Sequence, residues 1–344
     1  MQTNEERPSE RRTNEEIVFS EPGVVRIEPC EVGEPGAGEV LIRTRSTLIS
    51  TGTELTVLAA DYPEGSQWAA MFPFPVQPGY DNVGEVVQVG PGVDPAWTMR
   101  RVGTLARHAK YVVAAVEDCR PVPDAVSDEQ AAFFTIAEIV MNGVRRSRLT
   151  WGESAVVFGL GLLGQLAVRL CLHAGASAVI AVDVARSRLA FLPDDPRVHP
   201  VQAQEASVEA VVREVTRTRM ADVAFEVTGE PDLLVGQLAA LRNQGRLLVL
   251  SSPRGPATLD LHDHVVARSV SIIGAHNVSH PRRATLEDPW VAQRHGELFF
   301  DAVAGGQIDV DALLTHRRPY RDAPELYAML LRDRSSLMGV VLDW

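Results

Sequence analysis

Residues 154–164 read Ser-Ala-Val-Val-Phe-Gly-Leu-Gly-Leu-Leu-Gly, and this stretch decides the fold. Its first half ends at Phe158 and is an apolar run that predicts a buried strand. The segment from Leu162 to His173 has apolar residues at helical spacing and predicts an amphipathic helix. A strand that passes through a glycine-rich turn directly into a helix is typical of a doubly wound α/β domain.

The turn itself, Gly159-Leu160-Gly161-Leu162-Leu163-Gly164, has the G-x-G-x-x-G spacing. Gly159 permits a tight turn, Gly161 lets a pyrophosphate approach the backbone, and Gly164 lets the helix pack closely on the strand. The free N–H groups at the start of the helix, around Leu162 and Leu163, would bind the phosphates. The stretch therefore predicts a dinucleotide site. The alternative is a glycine-rich turn that only closes a strand–helix unit.

An acidic residue, Asp183, ends the next predicted strand about 20 residues further on. A carboxylate there accepts hydrogen bonds from both hydroxyl groups of the adenosine ribose, and it repels a 2′-phosphate. Asp183 therefore favours NAD over NADP. Arg186 and Arg188 leave NADP open, because a nearby arginine can accept the extra phosphate.

The pattern of the whole chain divides it into two domains. Residues 17–123 show short alternating runs broken by Gly and Pro, which predict an irregular and mostly antiparallel β domain. A helix is predicted over residues 128–146, with Ser127 as its N-cap. Strands and helices then alternate up to residue 274, which predicts a parallel sheet with helices on both faces. We assign residues 124–274 to the dinucleotide-binding domain, 17–123 and 275–344 to the second domain, and 1–16 to a disordered leader.

The predicted elements after the glycine-rich turn share this alternation. They are strands at 178–182, 222–227, 245–250, 270–274 and 339–342, and helices at 207–216, 231–241, 289–305 and 323–332.

Composition excludes several classes of protein. The net charge of −12 argues against a nucleic-acid-binding surface and against anionic membranes. No apolar run approaches the ~18 residues of a membrane span, and the polar N-terminus is not a secretion signal. Three cysteines stand singly along the chain, so no disulfide framework is expected and a cytoplasmic location fits.

Several local strings resemble the medium-chain dehydrogenase/reductase superfamily over nearly the whole chain. They are Pro78-Gly79-Tyr80-Asp81-Asn82-Val83-Gly84, Val89-Gly90-Pro91-Gly92-Val93, Glu226-Val227-Thr228-Gly229, Leu314-Thr315-His316-Arg317 and Ala323-Pro324-Glu325-Leu326-Tyr327. The resemblance implies a GroES-like catalytic domain beside a Rossmann domain, and a nicotinamide-dependent oxidoreductase acting on a small molecule. It also implies a homodimer in which strand 270–274 pairs with its copy, and the apolar run Ile272-Ile273 at a sheet edge agrees with this.

The positions of the family's catalytic zinc ligands depart from its pattern. Zinc would need a cysteine, a histidine and an acid there, whereas this chain has Thr51, Tyr80 and Thr135. The four-cysteine structural lobe is also missing. We therefore expect no zinc.

A zinc-lacking group around bacteriochlorophyllide a dehydrogenase is similar in three places. These are Ser50-Thr51-Gly52-Thr53-Glu54, Gly79-Tyr80, and Glu138 followed by Asn142-Gly143. That resemblance implies interconversion of a secondary alcohol and a ketone on a bulky, biosynthetic substrate. Without zinc, hydrogen-bond donors and a general acid must polarise the carbonyl oxygen.

Four residues are candidates for proton transfer. Tyr80 is the first choice, because it stands where a ligand would reach the reacting oxygen; the alternative is a tyrosine packed in the core. Glu138 would relay protons, or simply bond Asn142 or the backbone. His108 and Lys110, the only lysine of the chain, lie on one segment and are further candidates.

The remaining site predictions concern the two ligands. Glu54, Asp81 and Trp68 are expected at the substrate, Trp68 within an aromatic loop at 61–75. Thr51 and Glu54 are also candidates for the nicotinamide ribose. Cofactor contacts are expected from Thr51, Arg188, Thr228, Ser251 and His276, with Asn277 beside the last of these.

Two other functions stay open at this stage. A zinc-free enoyl or quinone reductase of the same superfamily would add hydride to a C=C bond. A non-catalytic nucleotide-binding protein is the second alternative, and the missing zinc ligands are what favours it.

Overall fold

The computed structural model describes residues 12–335 and 337–344. Two large sheets organise this part of the chain, and each belongs to one of the two predicted domains. The strands are β1 Asn14–Glu21, β2 Val24–Cys30, β3 Glu39–Leu48, β4 Asn82–Val89, β5 Arg101–Thr104, β6 Tyr111–Ala115, β7 Arg120–Pro121, β8 Ser154–Phe158, β9 Ala178–Asp183, β10 Val198–Gln202, β11 Ala221–Glu226, β12 Leu241–Val249, β13 Ser271–Gly274, β14 Leu314–Pro319 and β15 Gly339–Asp343. The α-helices are α1 Thr53–Leu58, α2 Gln67–Met71, α3 Asp128–Ala131, α4 Phe134–Arg146, α5 Leu162–His173, α6 Arg186–Leu189, α7 Val208–Val215, α8 Leu234–Ala239, α9 Ala292–Ala304 and α10 Ala323–Arg332.

The Rossmann sheet has six strands in the order β10-β9-β8-β11-β12-β13, and every neighbouring pair is parallel. The chain starts at β8 in the middle, builds outwards to β10, and then returns to β11 and builds to the other edge. This reversal places the carboxyl ends of β8 and β11 side by side, which is where open α/β sheets bind their ligands. The predicted doubly wound α/β fold is confirmed.

The second sheet contains strands from both ends of the chain. Its strand order is β14-β15-β3-β4-β5-β7, and β6 pairs with the first half of β3, from Glu39 to Arg43. Because β14 and β15 come from residues 314–343, the C-terminal part of the chain contributes two strands to the sheet that contains β3 and β4. The predicted bounds at residues 124 and 275 fall between the two sheets.

The predicted leader is too long. β1 begins at Asn14, and Asn14 and Glu16 are both buried. Residues 14–16 belong to the fold because β1 pairs with β2 over its whole length and Glu15 bonds Tyr320 and Arg321. Residues 1–11 of the predicted leader lie outside the described residues.

Helix 128–146 is also corrected, because α3 and α4 are separate helices. Ser127 is the N-cap of α3, as predicted, and forms a reciprocal capping box with Gln130. α4 packs between α5 of the Rossmann domain and α9. Within the described ranges, no helix is long and apolar enough to cross a membrane.

Candidate active site

The three glycines of the turn after β8 differ in the space that a side chain at their position would find. Gly159 has a positive φ of 95°, and a Cβ there would lie 3.0 Å from the carbonyl oxygen of Val227. A Cβ at Gly164 would lie 1.9 Å from the carbonyl oxygen of Gly159, which no side chain can do. A Cβ at Gly161 would meet nothing within 4 Å. The open space at Gly161 is what a pyrophosphate would need.

The N-terminus of α5 points its free backbone groups at this space. Gly161 is the N-cap and supplies no capping side chain. The N–H of Gln165 donates to the carbonyl of Gly161 at 2.9 Å, so the N–H groups of Leu162 and Leu163 precede the intrahelical bonds. These groups and the positive end of the helix suit an anion. The turn and the helix therefore fit the phosphates of a dinucleotide.

Asp183 ends β9 at the same edge, as predicted, but its carboxylate already has several partners. One oxygen accepts from the N–H of Leu160 at 2.6 Å and from Arg188 at 3.4 Å, and the other accepts from the N–H of Ala185 at 2.8 Å. Arg188 partly neutralises the carboxylate. Arg186 is exposed and pairs with Glu205 instead.

Two further arginines lie near this edge and come from distant parts of the chain. Arg334 donates to the carbonyl oxygen of Thr51 at 3.0 Å, and Arg254 pairs with Asp61 of the other domain and with Glu230. Burial, together with the charges of Arg188 and Arg254, lowers the pKa of Arg334. The sequence contains no motif for this group. Arg188, Arg254 and Arg334 are called the cleft arginines below.

The hydroxyl group of Tyr80 lies among other hydroxyl groups. It bonds the hydroxyl of Ser50 and donates to that of Thr53 at 3.3 Å. Thr135 donates to the backbone carbonyl of Tyr80 at 2.9 Å. Burial and the neighbouring Asp81 raise the pKa of the Tyr80 phenol. We call Tyr80, Ser50 and Thr53 the hydroxyl cluster; the last two were not predicted as site residues.

Glu54 lies deeper, in a buried network. It accepts from the N–H of Ser50 at 2.8 Å, from the Tyr327 hydroxyl, and lies 3.1 Å from Nε2 of His108. A Cβ at Gly79 would lie 2.8 Å from the His108 ring, which explains why glycine precedes Tyr80. Glu54 and His108 are both buried, and their roles at the substrate and in proton transfer stay predictions.

Two other predicted residues, Asp81 and Lys110, lie outside the hydroxyl cluster. Asp81 is completely buried, and neither of its oxygens has a hydrogen bond of good geometry. Burial raises the pKa of Asp81 well above its ordinary value, and the charges of Glu54 and Glu138 act in the same direction. The predicted contact of Asp81 with substrate stays a prediction. Lys110 lies near Glu15, whose pKa its charge lowers, and not in the hydroxyl cluster.

Glu138 forms a buried ion pair that sequence reasoning missed. Its carboxylate accepts from Nε of Arg120 at 3.0 Å. A Cβ at Gly296 of α9 would lie 2.7 Å from the same oxygen. Burial raises the pKa of Glu138 to about 7, although Arg120 opposes the shift. Glu138 therefore contributes to the packing of α4 on α9, and its role as a proton relay stays a prediction.

The predicted nicotinamide side consists of the loops after β11, β12 and β13. Thr228 and Ser251 both bond the carboxylate of Glu226. His276 is exposed, and its carbonyl oxygen accepts from the amide of Asn142 at 3.3 Å. Asn142 also donates to Ser279, so it holds this loop on α4 and does not bond Glu138.

Trp68 lies in an aromatic stack, as the composition of its loop suggested. Its ring stacks on Tyr62 with centroids 6.0 Å apart and contacts Phe72 at 5.6 Å. The stack is only partly buried, so it leaves an apolar surface beside α1.

The donor set does not suit zinc. The three ligand positions hold the hydroxyl side chains of Thr51, Tyr80 and Thr135, and zinc prefers thiolate, imidazole and carboxylate ligands. In the part of the chain that the structure describes, no group of three or more His, Cys, Asp or Glu side chains could hold a metal ion.

Comparisons with known proteins agree with this architecture. Residues 163–290 match the family model described as zinc-binding dehydrogenase. The chain is 24% identical over 342 residues to an L-threonine 3-dehydrogenase of Coxiella burnetii. The alignment covers 90% of this chain and 93% of that protein.

Solved structures show the same fold. The 2R,3R-butanediol dehydrogenase of Bacillus subtilis aligns with a TM-score of 0.79 and 22% identity, over 96% of this chain and 99% of its own. A short chain alcohol dehydrogenase from Escherichia coli CFT073, complexed with NADH, aligns with a TM-score of 0.81 and 16% identity, over 96% of this chain and 99% of that one. Together the comparisons show that the chain is similar to a zinc-binding dehydrogenase family over residues 163–290 and shares its fold with solved dehydrogenases along nearly its whole length.

Two glycine variants should separate folding from cofactor binding. We expect Gly164→Ala to lower the free energy of unfolding by about 1–3 kcal/mol or more, because its methyl group meets the Gly159 carbonyl. Gly161→Ala should change stability by less than about 1 kcal/mol and weaken NADH binding at least tenfold, because its methyl group enters the open space. Urea unfolding and NADH fluorescence titration measure the two effects. Equal NADH affinity in Gly161→Ala and the wild type would contradict this use of the space.

The Glu138 ion pair predicts a pH dependence of stability. The folded protein takes up a proton on Glu138 as the pH falls through about 7, and the unfolded chain does so only near its ordinary value of 4.5. A charged Glu138 therefore costs stability above pH 7, and this cost disappears as the pH falls. Glu138→Gln should become more stable relative to wild type as the pH rises from 5 to 8, by a few kcal/mol at most, in urea unfolding. Parallel pH curves for the two proteins would exclude the raised pKa.

Proposed function

We propose that the protein is a zinc-independent, NAD(P)-dependent oxidoreductase that interconverts a secondary alcohol and a ketone on a sizeable, biosynthetic substrate. The observation that carries the proposal is the hydroxyl cluster: where the superfamily has a zinc ligand, Tyr80 has a phenol held by Ser50 and Thr53. The resemblance to the zinc-lacking group around bacteriochlorophyllide a dehydrogenase supports the same conclusion.

The cofactor would be held along the carboxyl edge of the Rossmann sheet. The turn at 159–164 and the first N–H groups of α5 would bind the pyrophosphate, and the cleft arginines would add positive charge. Asp183 would accept from the adenosine ribose and favour NAD. Arg188 beside it reduces the repulsion of a 2′-phosphate, so NADP would bind as well. When bound, the nicotinamide ring donates or accepts the hydride.

The protein's own part in the reaction is to handle the proton on the substrate oxygen. Tyr80 would donate its phenolic proton to the oxygen of a ketone, and Ser50 and Thr53 would orient the phenol and stabilise the phenolate that results. The raised pKa of Tyr80 keeps the group protonated at neutral pH. The protonated phenol would act as general acid in ketone reduction, and the same group, once deprotonated, would act as general base in alcohol oxidation.

The substrate class follows from the aromatic stack. Tyr62, Trp68 and Phe72 offer a partly exposed apolar surface on the catalytic domain. This surface suits a bulky, partly apolar ketone.

The cytoplasmic location stays part of the proposal, since the free Cys119 and Cys171 are buried and unpaired.

The proposal is tested with purified protein as isolated. We expect less than one zinc per ten chains, NADH binding by fluorescence, and NADH oxidation that depends on a bulky ketone. Tyr80→Phe should lower kcat/KM about 10²–10⁴-fold, the usual contribution of a general acid, with NADH affinity unchanged. Tyr111→Phe, at the start of β6, is the matched control and should leave kcat/KM unchanged.

Several outcomes would reject the proposal or one of its parts. Stoichiometric zinc whose removal abolishes turnover would contradict zinc independence. Turnover with enones but not with ketones would favour the enoyl or quinone reductase. NADH binding with no turnover across both substrate classes would favour a non-catalytic nucleotide-binding protein.

We also propose a homodimer formed through β13. This strand is the edge of the Rossmann sheet, Ile272 is 41% exposed on it, and Val278 just beyond it is 84% exposed. An exposed edge strand has unpaired N–H and C=O groups that can pair with another strand, so a second copy of this chain would extend the sheet. Sedimentation at micromolar concentration should give twice the mass of one chain; a monomer there would contradict the proposal.

A further inference from the structure

The carboxylate of Glu226 joins two loops at the carboxyl edge of the Rossmann sheet. Glu226 is the last residue of β11 and is completely buried. One of its oxygens accepts from the N–H groups of Thr228 at 2.7 Å and Gly229 at 3.0 Å, and from the Thr228 hydroxyl at 2.5 Å. Its other oxygen accepts from the hydroxyl of Ser251, after β12. One side chain thus fixes the loops of two neighbouring strands.

The hydrogen-bond pattern around Glu226 suits a carboxylate. Three donors converge on one oxygen, which a carboxylate accepts readily and a protonated acid does not. The Thr228 hydroxyl accepts from the N–H of Glu230 at 3.0 Å, so its own hydrogen is directed at Glu226. The Glu226 carboxylate thus accepts from this hydroxyl and from two backbone N–H groups, which are charge-assisted hydrogen bonds.

This anion has no cationic partner. Among residues 12–335 and 337–344, no arginine, lysine or histidine forms an ion pair with Glu226. Glu138, the other completely buried glutamate, differs because Arg120 compensates it. The charge of Glu226 is spread only over neutral dipoles. Its field therefore extends into the neighbouring cleft, where low dielectric screening makes it effective.

The position of Glu226 in the sheet determines which half of a bound cofactor would experience this field. In the sheet, β11 follows β8 on the side opposite β9 and Asp183. The loop after Glu226 reaches the glycine-rich turn, where a Cβ at Gly159 would lie 3.0 Å from the Val227 carbonyl. A dinucleotide with its adenosine at Asp183 and its pyrophosphate at Gly161 would continue towards β11 and β12. Glu226 is then at the nicotinamide half.

We infer that Glu226 is a positioning residue whose uncompensated charge makes the site prefer the oxidised, positively charged nicotinamide over the reduced, neutral ring. The inference deepens the proposed function and rests on its nicotinamide cofactor. The same carboxylate holds the loops at Thr228 and Ser251, so geometry and charge come from one group. The two contributions can be separated, because a glutamine retains the shape and loses the charge.

The experiment compares dissociation constants for NAD⁺ and NADH at one pH and salt concentration. We expect Glu226→Gln to raise the ratio Kd(NAD⁺)/Kd(NADH) by on the order of tenfold, the effect of a unit charge across ~10 Å at an effective dielectric constant of ~20. Glu226→Asp retains the charge and should keep the ratio within about threefold of wild type, even where both affinities fall. Glu209→Gln, at an exposed glutamate on α7 paired with Arg213, is the matched control and should change neither constant.

The outcomes separate the inference from the proposed function. Equal weakening of both cofactors in Glu226→Gln would overturn the role of charge. If this variant does not fold, Ser251→Ala decides the question, because it removes a donor and leaves the charge. A ratio that stays or falls in Ser251→Ala supports the inference, and a ratio that rises overturns it. Failure of the wild type to bind any nicotinamide dinucleotide would reject the proposed function itself.

Discussion

The first turn of α5 rests directly on the loop that leaves β8, with so little space that residue 164 can carry no side chain. This contact places the N-terminus of α5 at the end of the central strand and leaves the backbone open at Gly161. On its other side the same loop touches Val227, which follows β11. The contacts continue through Glu226 to Ser251, so the carboxyl edge of the sheet is one connected structure. A helix that packed even slightly further away would separate the phosphate site from the loops beyond it.

The catalytic half depends on a different constraint, which is the free-energy cost of burying charged side chains. Asp81, Glu54 and Glu138 all lie in the interior near Tyr80 and Thr135. Each meets this cost in its own way: Glu54 through His108 and Tyr327, Glu138 through Arg120, and Asp81 through a pKa raised by burial. These acids form a layer behind the hydroxyl cluster. Tyr80 is left as the partly exposed titratable group of the cluster, and this favours it as the group that meets the substrate oxygen.

Much of the nucleotide site could be predicted from the sequence because its determinants are local. A strand, three spaced glycines and the start of a helix lie within eleven residues, and Asp183 ends the next strand. The catalytic candidates were harder to assign. His108, Glu54 and Asp81 have suitable chemistry, but whether they are reachable depends on strands that pack over them. The leader and helix 128–146 were misjudged for a similar reason, since pairing of β1 with β2 and the packing of α4 are not local properties.

The sequence by itself determined the doubly wound domain, the turn at 159–164, the acid at its neighbouring strand and the hydroxyl side chains at the three zinc positions. These follow from spacing and side-chain chemistry, which act over a few residues. Only the tertiary structure decided that Ser50 and Thr53 hold the phenol of Tyr80, that Arg120 pairs with Glu138, and that the charges of Arg188 and Arg254 act on Arg334. It also decided that the Glu226 carboxylate joins two loops and, in the part of the chain that the structure describes, has no cationic partner. Such pairings join residues far apart in the chain, and the packing of sheets and helices brings them together.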